Sequence, residues 1–417
     1  MYTRVLGGLV AAIAFLSPAV LPAVHSADST RPGDAGHSKH APFTYAVYGD
    51  APYGTSPTDT SETDATPAFI AAVNADPLVS GVLHVGDIHS GSQYCTQSYD
   101  QQIYDLWTAF ADPMVYTPGD NEWADCHKKK EGGGAYNATT GAIDYVLGAD
   151  GQPVDYAKGD PAANLGLVRS IFFAQPGHTL GSDSLRVTSQ ATAYDRRHPE
   201  DRAFIENVRW TRNDVVFVTI NVPGGSNLIG DPWYGVPAET AQQAQLRAAL
   251  TGAATRWITA AFEEARHSRA AGVVIVDQAD MWDVDGNPAG TAHLSNFEPI
   301  IKTIADQTKA FRRPVLMLNG DSHVYRSDNP LLQGAPCTGD DENGGSICTS
   351  DVHNAILGST REAWNSHPSY HVPNFHRIVV HGSTTPLEYL RLTVDPKAHN
   401  ASTDTTFGIF SWARVTD

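Results

Sequence analysis

Four aspartates each follow a glycine at the end of a short apolar run. They are Asp50, Asp87, Asp120 and Asp321. In open α/β sheets the functional crevice lies beyond the carboxyl ends of the strands, so we expect these side chains to converge at one edge. Converging carboxylates repel one another unless a cation binds between them, and divalent metals accept carboxylate and amide oxygens and imidazole nitrogen. A Gly-Asp step is also ordinary turn chemistry, but its fourfold recurrence favours a metal site.

The order of these motifs resembles the signature of calcineurin-like metallophosphoesterases, which reads D-x-H, G-D-x-x-D, G-N-H-E/D, a lone His and G-H-x-H. The matching stretches in this chain are Gly49-Asp50, Gly86-Asp87, Gly119-Asp120-Asn121-Glu122 and Gly320-Asp321-Ser322-His323. The resemblance covers the chain from about residue 43 to 330. It implies a layered α/β fold with a central mixed β-sheet core flanked by helices. It also implies two divalent metal ions, with Mn, Mg, Ca, Fe and Zn all open.

Position by position, the resemblance implies four metal ligands. Asp50 corresponds to the first-motif ligand, and Asp87 corresponds to the carboxylate that bridges both ions. Asn121 corresponds to the amide ligand of the second ion, and His323 to the last imidazole ligand.

Three metal-ligand positions depart from the family pattern. Where D-x-H has its histidine, this chain has Pro52 followed by Tyr53. Tyr53 is either a phenolate ligand, as a tyrosine from a different motif is in the purple acid phosphatase branch, or a packing residue in a turn. Gln278 stands at the lone histidine, and Asp321 replaces the first histidine of G-H-x-H. The second ion would then be held by Asp87, Asn121, Gln278 and Asp321, an oxygen-rich set that suits Mg, Mn or Ca better than Zn.

The catalytic histidine of G-N-H-E has no direct equivalent, because Glu122 follows Asn121. His127 is the nearest imidazole in sequence and the preferred proton donor, since its ordinary pKa lies close to neutral pH. Glu122 is the second candidate. A solvated histidine beside Lys128 is the alternative interpretation of His127.

Three further residues have predicted positions or contacts outside the set of metal ligands. His84 lies inside a strand and is expected in the core. His89 is expected near the substrate. Arg326 either pairs with a phosphate oxygen or forms a structural salt bridge.

These residues predict an exported metal-dependent phosphoric ester hydrolase that acts on a small phosphate ester through a metal-activated water. The alternative is a non-catalytic metal- or ligand-binding relative of the same fold. A serine hydrolase is disfavoured because the chain has no G-x-S-x-G. The formal net charge of -18 repels polyanions, which argues against a nucleic-acid-coating function.

Alternating strands and helices must position these residues. Strands are predicted at residues 43–49, 81–86, 113–119, 215–222, 272–277 and 314–320. Helices are predicted at residues 66–74, 101–111, 238–269 and 295–311, the last with Ser295 as its N-cap. The tail from His376 onward is expected to add antiparallel strands.

The chain begins with features of an export signal. Arg4 precedes an apolar run, and small residues follow to Ala27, so we expect a signal peptide at residues 1–27, cleaved after Ala27 or Ala23, rather than a permanent membrane anchor. A linker at residues 28–42 then leads to one domain at residues 43–417, with a loop-rich insertion at about 128–210. The four cysteines permit three pairings, of which Cys95–Cys126 and Cys337–Cys348 close the shortest loops. The oligomeric state is open.

Overall fold

Two mixed β-sheets form the centre of a computed structural model that describes residues 41–283, 291–332, 335–340, 345 and 370–416. The first sheet has the strand order β15-β16-β14-β1-β2-β3. Its strands are β1 (Phe43–Tyr48), β2 (Val79–His84), β3 (Met114–Tyr116), β14 (Glu388–Val394), β15 (Thr406–Phe407) and β16 (Phe410–Thr416). β1, β2 and β3 are parallel, whereas β14 pairs antiparallel with β1.

The second sheet has the strand order β12-β11-β13-β10-β9-β8-β7-β6. Its strands are β6 (Thr188–Ser189), β7 (Val208–Arg212), β8 (Val215–Thr219), β9 (Gly272–Val276), β10 (Val315–Asn319), β11 (Tyr325–Asp328), β12 (Thr338–Asp340) and β13 (Phe375–Val379). β8, β9, β10 and β13 run parallel. A separate hairpin pairs β4 (Gly134–Asn137) with β5 (Ala142–Tyr145).

Helices cover the outer face of each sheet. They are α1 (Ser61–Ala75), α2 (Gln97–Trp107), α3 (Pro161–Phe172), the short α4 (Gly224–Asn227), α5 (Ala241–Ser268) and α6 (Thr291–Phe311). Side chains of α1, α2 and α3 share an apolar cluster with β1, β2 and β3. α5 and α6 share another with β8, β9 and β10. A third cluster lies between the sheets and includes Val47, Leu83, Phe217, Val274 and Leu316. The predicted α/β class with a mixed sheet core flanked by helices is therefore confirmed.

The local sequence explains why these elements form. β9 and β10 are entirely buried, and their apolar runs are typical of parallel strands covered on both faces. The side chain of Asp160 accepts a hydrogen bond from Ala163 N at the start of α3, where Pro161 occupies the first turn. Thr240 caps α5 in the same way.

The six predicted strands all exist within a few residues of the expected bounds, and so do the four predicted helices. The prediction of Ser295 as an N-cap is wrong, because α6 begins at Thr291. The buried Leu294 and Phe297 extend the apolar face of that helix toward its N-terminus. The segment 128–210 contains α3, the β4–β5 hairpin, β6 and the start of β7 beside its loops. In the tail, β14 and β16 are antiparallel as expected, but β13 also pairs parallel with β10.

The predicted Cys95–Cys126 disulfide is confirmed, with a Cα–Cα distance of 5.7 Å. Cys348, the expected partner of Cys337, lies outside the described residues, as do the expected signal peptide and most of the linker. Among the helices of the described ranges, none is long and apolar enough to span a bilayer.

Candidate metal centre

The predicted ligands lie where strands of both sheets end. Asp50 follows β1 and Asp87 follows β2, while Gln278 follows β9 and Asp321 follows β10. Main-chain hydrogen bonds hold neighbouring turns together, from Asp50 N to Gly86 O at 2.9 Å and from Gly320 N to Gln278 O at 3.0 Å. Asp321 N also donates to Asp50 Oδ1 at 2.9 Å, which joins the two sheets at this edge.

Four of these residues have left-handed backbone conformations. The φ angles are 50° at Asp50, 59° at Asp87, 78° at Asp321 and 59° at His323. For residues with a Cβ atom this region costs roughly 1–2 kcal/mol each. Non-glycine outliers of this kind cluster at functional sites, because the surrounding structure must hold them in place.

Glycines of the Gly-Asp steps make room for aspartates from other motifs. A Cβ atom at Gly119 would lie 1.9 Å from Asp87 Oδ1, and one at Gly320 would lie 2.3 Å from Asp50 Oδ2. Glycine is therefore needed at these positions because it lets the main chain approach a carboxylate closely, in addition to allowing the turn.

Tyr53, Asp50, Asp87 and His323 bring oxygen and nitrogen donors together. The Tyr53 hydroxyl lies 2.9 Å from Asp87 Oδ2 and 3.5 Å from Asp50 Oδ1. His323 Nε2 lies 3.9 Å from Asp50 Oδ1. Ligand atoms bound about 2 Å from one ion are separated by roughly 3–4 Å, so each of these three distances is compatible with a shared cation. Asp50, Asp87 and His323 are nevertheless not among the described groups whose ligand atoms all lie within 4.8 Å of one another, so a cation would have to draw them closer together. Of the two interpretations of Tyr53, the position of its hydroxyl supports the ligand.

The electrostatics of this cluster also favour a cation. Asp50, Asp87 and Asp120 are buried, and Asp50 Oδ2 has no hydrogen-bond partner among the described residues. Burial raises the pKa of Asp50 to about 6, and burial together with the Asp125 charge raises the pKa of Asp120 to about 7. Burial and the Asp120 charge raise the pKa of Asp87. A metal ion would compensate the charge that burial otherwise penalises.

Asn121 and Gln278 were both expected to bind the second ion through an amide oxygen. In the structure, each directs its amide nitrogen toward Asp87. Asn121 Nδ2 lies 3.2 Å from Asp87 Oδ2, and it donates to His89 O at 2.9 Å. Gln278 Nε2 donates to Asp87 Oδ2 at 3.1 Å and to Asp120 Oδ1 at 3.2 Å. Metal ligation by an amide requires its oxygen. The residues therefore fit the first ion and do not fit the second as arranged here.

Among solved structures, the chain is similar to a purple acid phosphatase isolated from yellow lupin (Lupinus luteus) seeds, with 11% sequence identity and a TM-score of 0.38. The similarity covers 86% of this chain and 50% of that one, so this chain spans about half the length of that structure. No protein-family model matches the chain. No curated protein matches it either. The assignment of the centre rests on the side chains themselves.

Glu122, a candidate proton donor, lies within the turn that carries Asn121. Its Oε1 accepts hydrogen bonds from Gly119 N at 2.6 Å and from the Tyr116 hydroxyl. The side chain is buried, with 1% of its surface exposed. Through these contacts Glu122 holds the turn in place.

His127 lies on the wall of a cavity of about 400 Å³ that reaches Asp120. Other lining residues are Lys128, Gly225, Ser226 and Asp231. His127 Nδ1 accepts a hydrogen bond from Tyr234 N at 3.0 Å, so Nε2 carries the proton of the neutral ring. Burial lowers the pKa of His127. The structure thus disfavours the solvated alternative, because His127 is only 3% exposed.

Asp125, His127 and Asp231 form a group whose possible ligand atoms lie within 4.8 Å of one another. Lys128 Nζ contacts the Asp125 carboxylate and lies 3.3 Å from Asp231. This single ammonium pairs with both carboxylates and offsets one of their two negative charges. A second group in the described ranges contains Cys95 and Cys126, whose sulfurs are joined in the disulfide.

The predictions for His84, His89 and Arg326 have different outcomes. His84 is confirmed as a core residue that contacts Ala51 O at 2.9 Å. The expected substrate contact of His89 is wrong, because its ring is fully buried. Arg326 forms a salt bridge with Asp280, 3.3 Å from Oδ2, as the second interpretation expected.

Asp280 and Gly224 are positioning residues that the sequence analysis did not identify. Asp280 N donates to Asp321 Oδ2 at 3.0 Å, while the Asp280 carboxylate is held by Arg326, Arg377 and Ser322. Gly224 N donates to Gln278 Oε1 at 2.6 Å. Two sequence features could have identified these residues. One is the Gly-Gly pair shortly after β8, and the other is an aspartate two positions after Gln278.

Proposed function

We propose that this protein is an exported metal-dependent hydrolase of small phosphoric esters. The proposal rests chiefly on one observation, the convergence of Asp50, Tyr53, Asp87 and His323 at adjoining strand ends, with distances of 2.9, 3.5 and 3.9 Å between three pairs of their possible ligand atoms. In the described ranges, no ion pair links a lysine or arginine to either Asp50 or Asp87, so their charges are left for a metal.

Asp50, Tyr53, Asp87 and His323 would hold the ion. A bound divalent ion supplies a Lewis acid and an activated water for attack on phosphorus. Asp321 N donates to Asp50 Oδ1 and holds that carboxylate in position. Asp87 is held by Asn121 N, which donates to Oδ1 at 3.2 Å.

The cavity beside Asp120 is the proposed substrate site. Its volume of about 400 Å³ suits a small ester. Lys128 on its wall already pairs with Asp125 and Asp231, and a phosphoryl oxygen would share this ammonium with them. His127 Nε2 lies 3.8 Å from Asp231 Oδ2. Because Nδ1 accepts a hydrogen bond from Tyr234 N and the ring is neutral, the proposed role of His127 is a hydrogen bond from Nε2 to the leaving-group oxygen, which would take its proton from solvent water.

The proposed location is outside the cytoplasm. The disulfide between Cys95 and Cys126 suits an oxidising compartment. The export features at residues 1–27 point the same way. The excess of carboxylates argues that the substrate is a small ester and not a nucleic acid.

The test is an Asp87→Ala variant assayed with an aryl phosphate after loading with Mn²⁺. We expect loss of bound metal and of turnover with an unchanged circular dichroism spectrum. Asp105→Ala, which removes an exposed carboxylate from α2, is the matched control and should retain both properties. Full activity of Asp87→Ala would refute the assignment.

The non-catalytic alternative is favoured by the two amide nitrogens that face Asp87. A non-catalytic relative would bind metal tightly but show no turnover with phosphomonoesters or phosphodiesters. Metal content and turnover measured on the same preparation separate the two proposals.

A further inference from the structure

We infer that the centre binds one metal ion and that the Gln278 amide takes the place of a second. The inference rests on the proposed metal-dependent function and specifies its metal content. It departs from the pair of ions that the sequence resemblance implies.

The Gln278 amide links the two carboxylates between which a second cation would lie. Its Nε2 donates to Asp87 Oδ2 at 3.1 Å and to Asp120 Oδ1 at 3.2 Å, which uses both of its hydrogens. The side chain has no exposed surface. A neutral donor thus occupies the space between two acidic groups.

The orientation of this amide is determined by the main chain. Gly224 N donates to Gln278 Oε1 at 2.6 Å, and only an oxygen can accept that bond. Turning the amide over would set two N–H groups against each other and leave a buried donor unpaired, at a cost of about 1–3 kcal/mol. A Cβ atom at Gly86 would lie 2.6 Å from Gln278 Cβ, so the stem of the side chain is also closely confined.

Asn121 is oriented in the same sense. Its Nδ2 donates to His89 O at 2.9 Å, and a carbonyl oxygen cannot accept a bond from the amide oxygen. The nitrogen also lies 3.2 Å from Asp87 Oδ2. Asp87 Oδ2 therefore receives amide hydrogens from both residues that the second ion would require as oxygen ligands.

Asp87 is shared between these amides and the first ion, but Asp50 and Tyr53 each keep an oxygen that a metal ion could reach. Asp50 Oδ2 lacks a hydrogen-bond partner among the described residues. The Tyr53 hydroxyl proton, which lies between Tyr53 and Asp87, is replaceable by a metal ion. One ion bound by these residues and His323 is therefore compatible with the Gln278 arrangement.

The experiment measures metal stoichiometry on the full chain after equilibrium dialysis against Mn²⁺, by elemental analysis and by electron paramagnetic resonance. We expect one ion per chain and the hyperfine pattern of an isolated Mn²⁺. Two ions with the spectrum of a spin-coupled pair would overturn the inference and leave the proposed function intact. No bound ion would overturn both.

Gln278→Glu tests the role of the amide with nearly the same shape. Glutamate still accepts the bond from Gly224 N, but its other oxygen meets Asp87 and Asp120 as a third carboxylate. We expect the stoichiometry to rise from one ion to two. Gln190→Glu is the matched control, because this buried glutamine also faces an aspartate, with Nε2 3.4 Å from Asp201 Oδ2, and it should remain at one. A stoichiometry of Gln278→Glu that stays at one while the variant is folded would count against the role of the amide.

His323→Ala and Asp321→Asn locate the single ion independently of whether Gln278→Glu folds. Loss of His323 should weaken Mn²⁺ binding at least roughly tenfold, whereas Asp321→Asn should retain one ion per chain. The reverse pattern would place the ion at the other position and overturn the inference.

Discussion

The hydroxyl of Tyr53 lies 2.9 Å from Asp87 Oδ2, although 34 residues separate them in the chain. The Tyr53 ring also meets His323 edge to face, with ring centroids 5.0 Å apart. One side chain thus contacts residues that follow strands of both sheets.

Removing the phenolic oxygen of Tyr53 should weaken metal binding without leaving a cavity in the core. In Tyr53→Phe the ring still packs on His323, but one metal donor is lost. We expect Mn²⁺ affinity, measured by calorimetry, to fall at least roughly tenfold. Tyr99→Phe removes one half-buried hydroxyl, which contacts Ile88 O at 2.9 Å and Pro52 O at 3.2 Å but is not a proposed metal donor, and it should leave the affinity nearly unchanged. Equal losses in both variants would mean that Tyr53 acts through packing alone.

A methyl group at Gly320 should displace Asp50. The added Cβ would lie 2.3 Å from Asp50 Oδ2, inside any allowed contact distance. We expect Gly320→Ala to lose metal binding and to lower the free energy of unfolding by about 1–3 kcal/mol. Gly166→Ala in α3 meets no heavy atom within 4 Å and should raise stability slightly. Retained metal binding in folded Gly320→Ala would show that Asp50 is not a ligand.

The Cys95–Cys126 disulfide should support the Asn121 turn as well as the global fold. The two sulfurs lie 3.2 and 3.5 Å from the Asn121 carbonyl oxygen. Replacing both cysteines by serine opens a link across 31 residues and should cost about 2–4 kcal/mol in chemical denaturation. Metal affinity should also fall. Unchanged affinity in the folded double variant would confine the disulfide to a stabilising role.

Acid should destabilise the protein partly through His376. Burial lowers the pKa of this imidazole from 6.5 to about 4, and its Nε2 lies 2.9 Å from the Ser327 hydroxyl. The folded state binds its proton less readily than the unfolded state, so the contribution to stability is complete above pH 6.5 and is lost as pH falls toward 4. The shift corresponds to roughly 3 kcal/mol.

We therefore expect His376→Gln to flatten the dependence of the unfolding free energy on pH between about 4 and 6.5, as measured in urea titrations. His399→Gln, which changes an exposed imidazole, should leave the slope as it is. A slope that is the same in both variants would contradict the assignment.

Much of the framework was predictable because it depends on local sequence. The apolar runs before Asp50, Asp87 and Asp321 identify strands, and parallel strands bring their ends to one edge. The same pattern predicted the helices, although α1, α2 and α6 each begin four or five residues before the predicted start. These features follow from periodicity and from glycine at the turns.

The chemistry of individual side chains was less predictable because distant groups decide it. The Gln278 amide is oriented by Gly224 N, 54 residues away in the chain. Glu122 accepts bonds from Gly119 N and Tyr116, which a motif comparison does not show. An amino-acid type thus indicates a potential ligand, while its hydrogen-bond partner determines which atom it offers.

The side chains proposed to bind the ion and the cavity wall come from different parts of the chain. The former stand at strand ends, whereas the latter includes the turn with His127 and the loop from Gly224 to Asp231. Exchange of these connecting segments would remodel the entrance while the strand-end donors stayed in place. The scaffold is therefore well suited to diversification, in which new substrates are acquired by replacing surface segments around an inherited reaction centre.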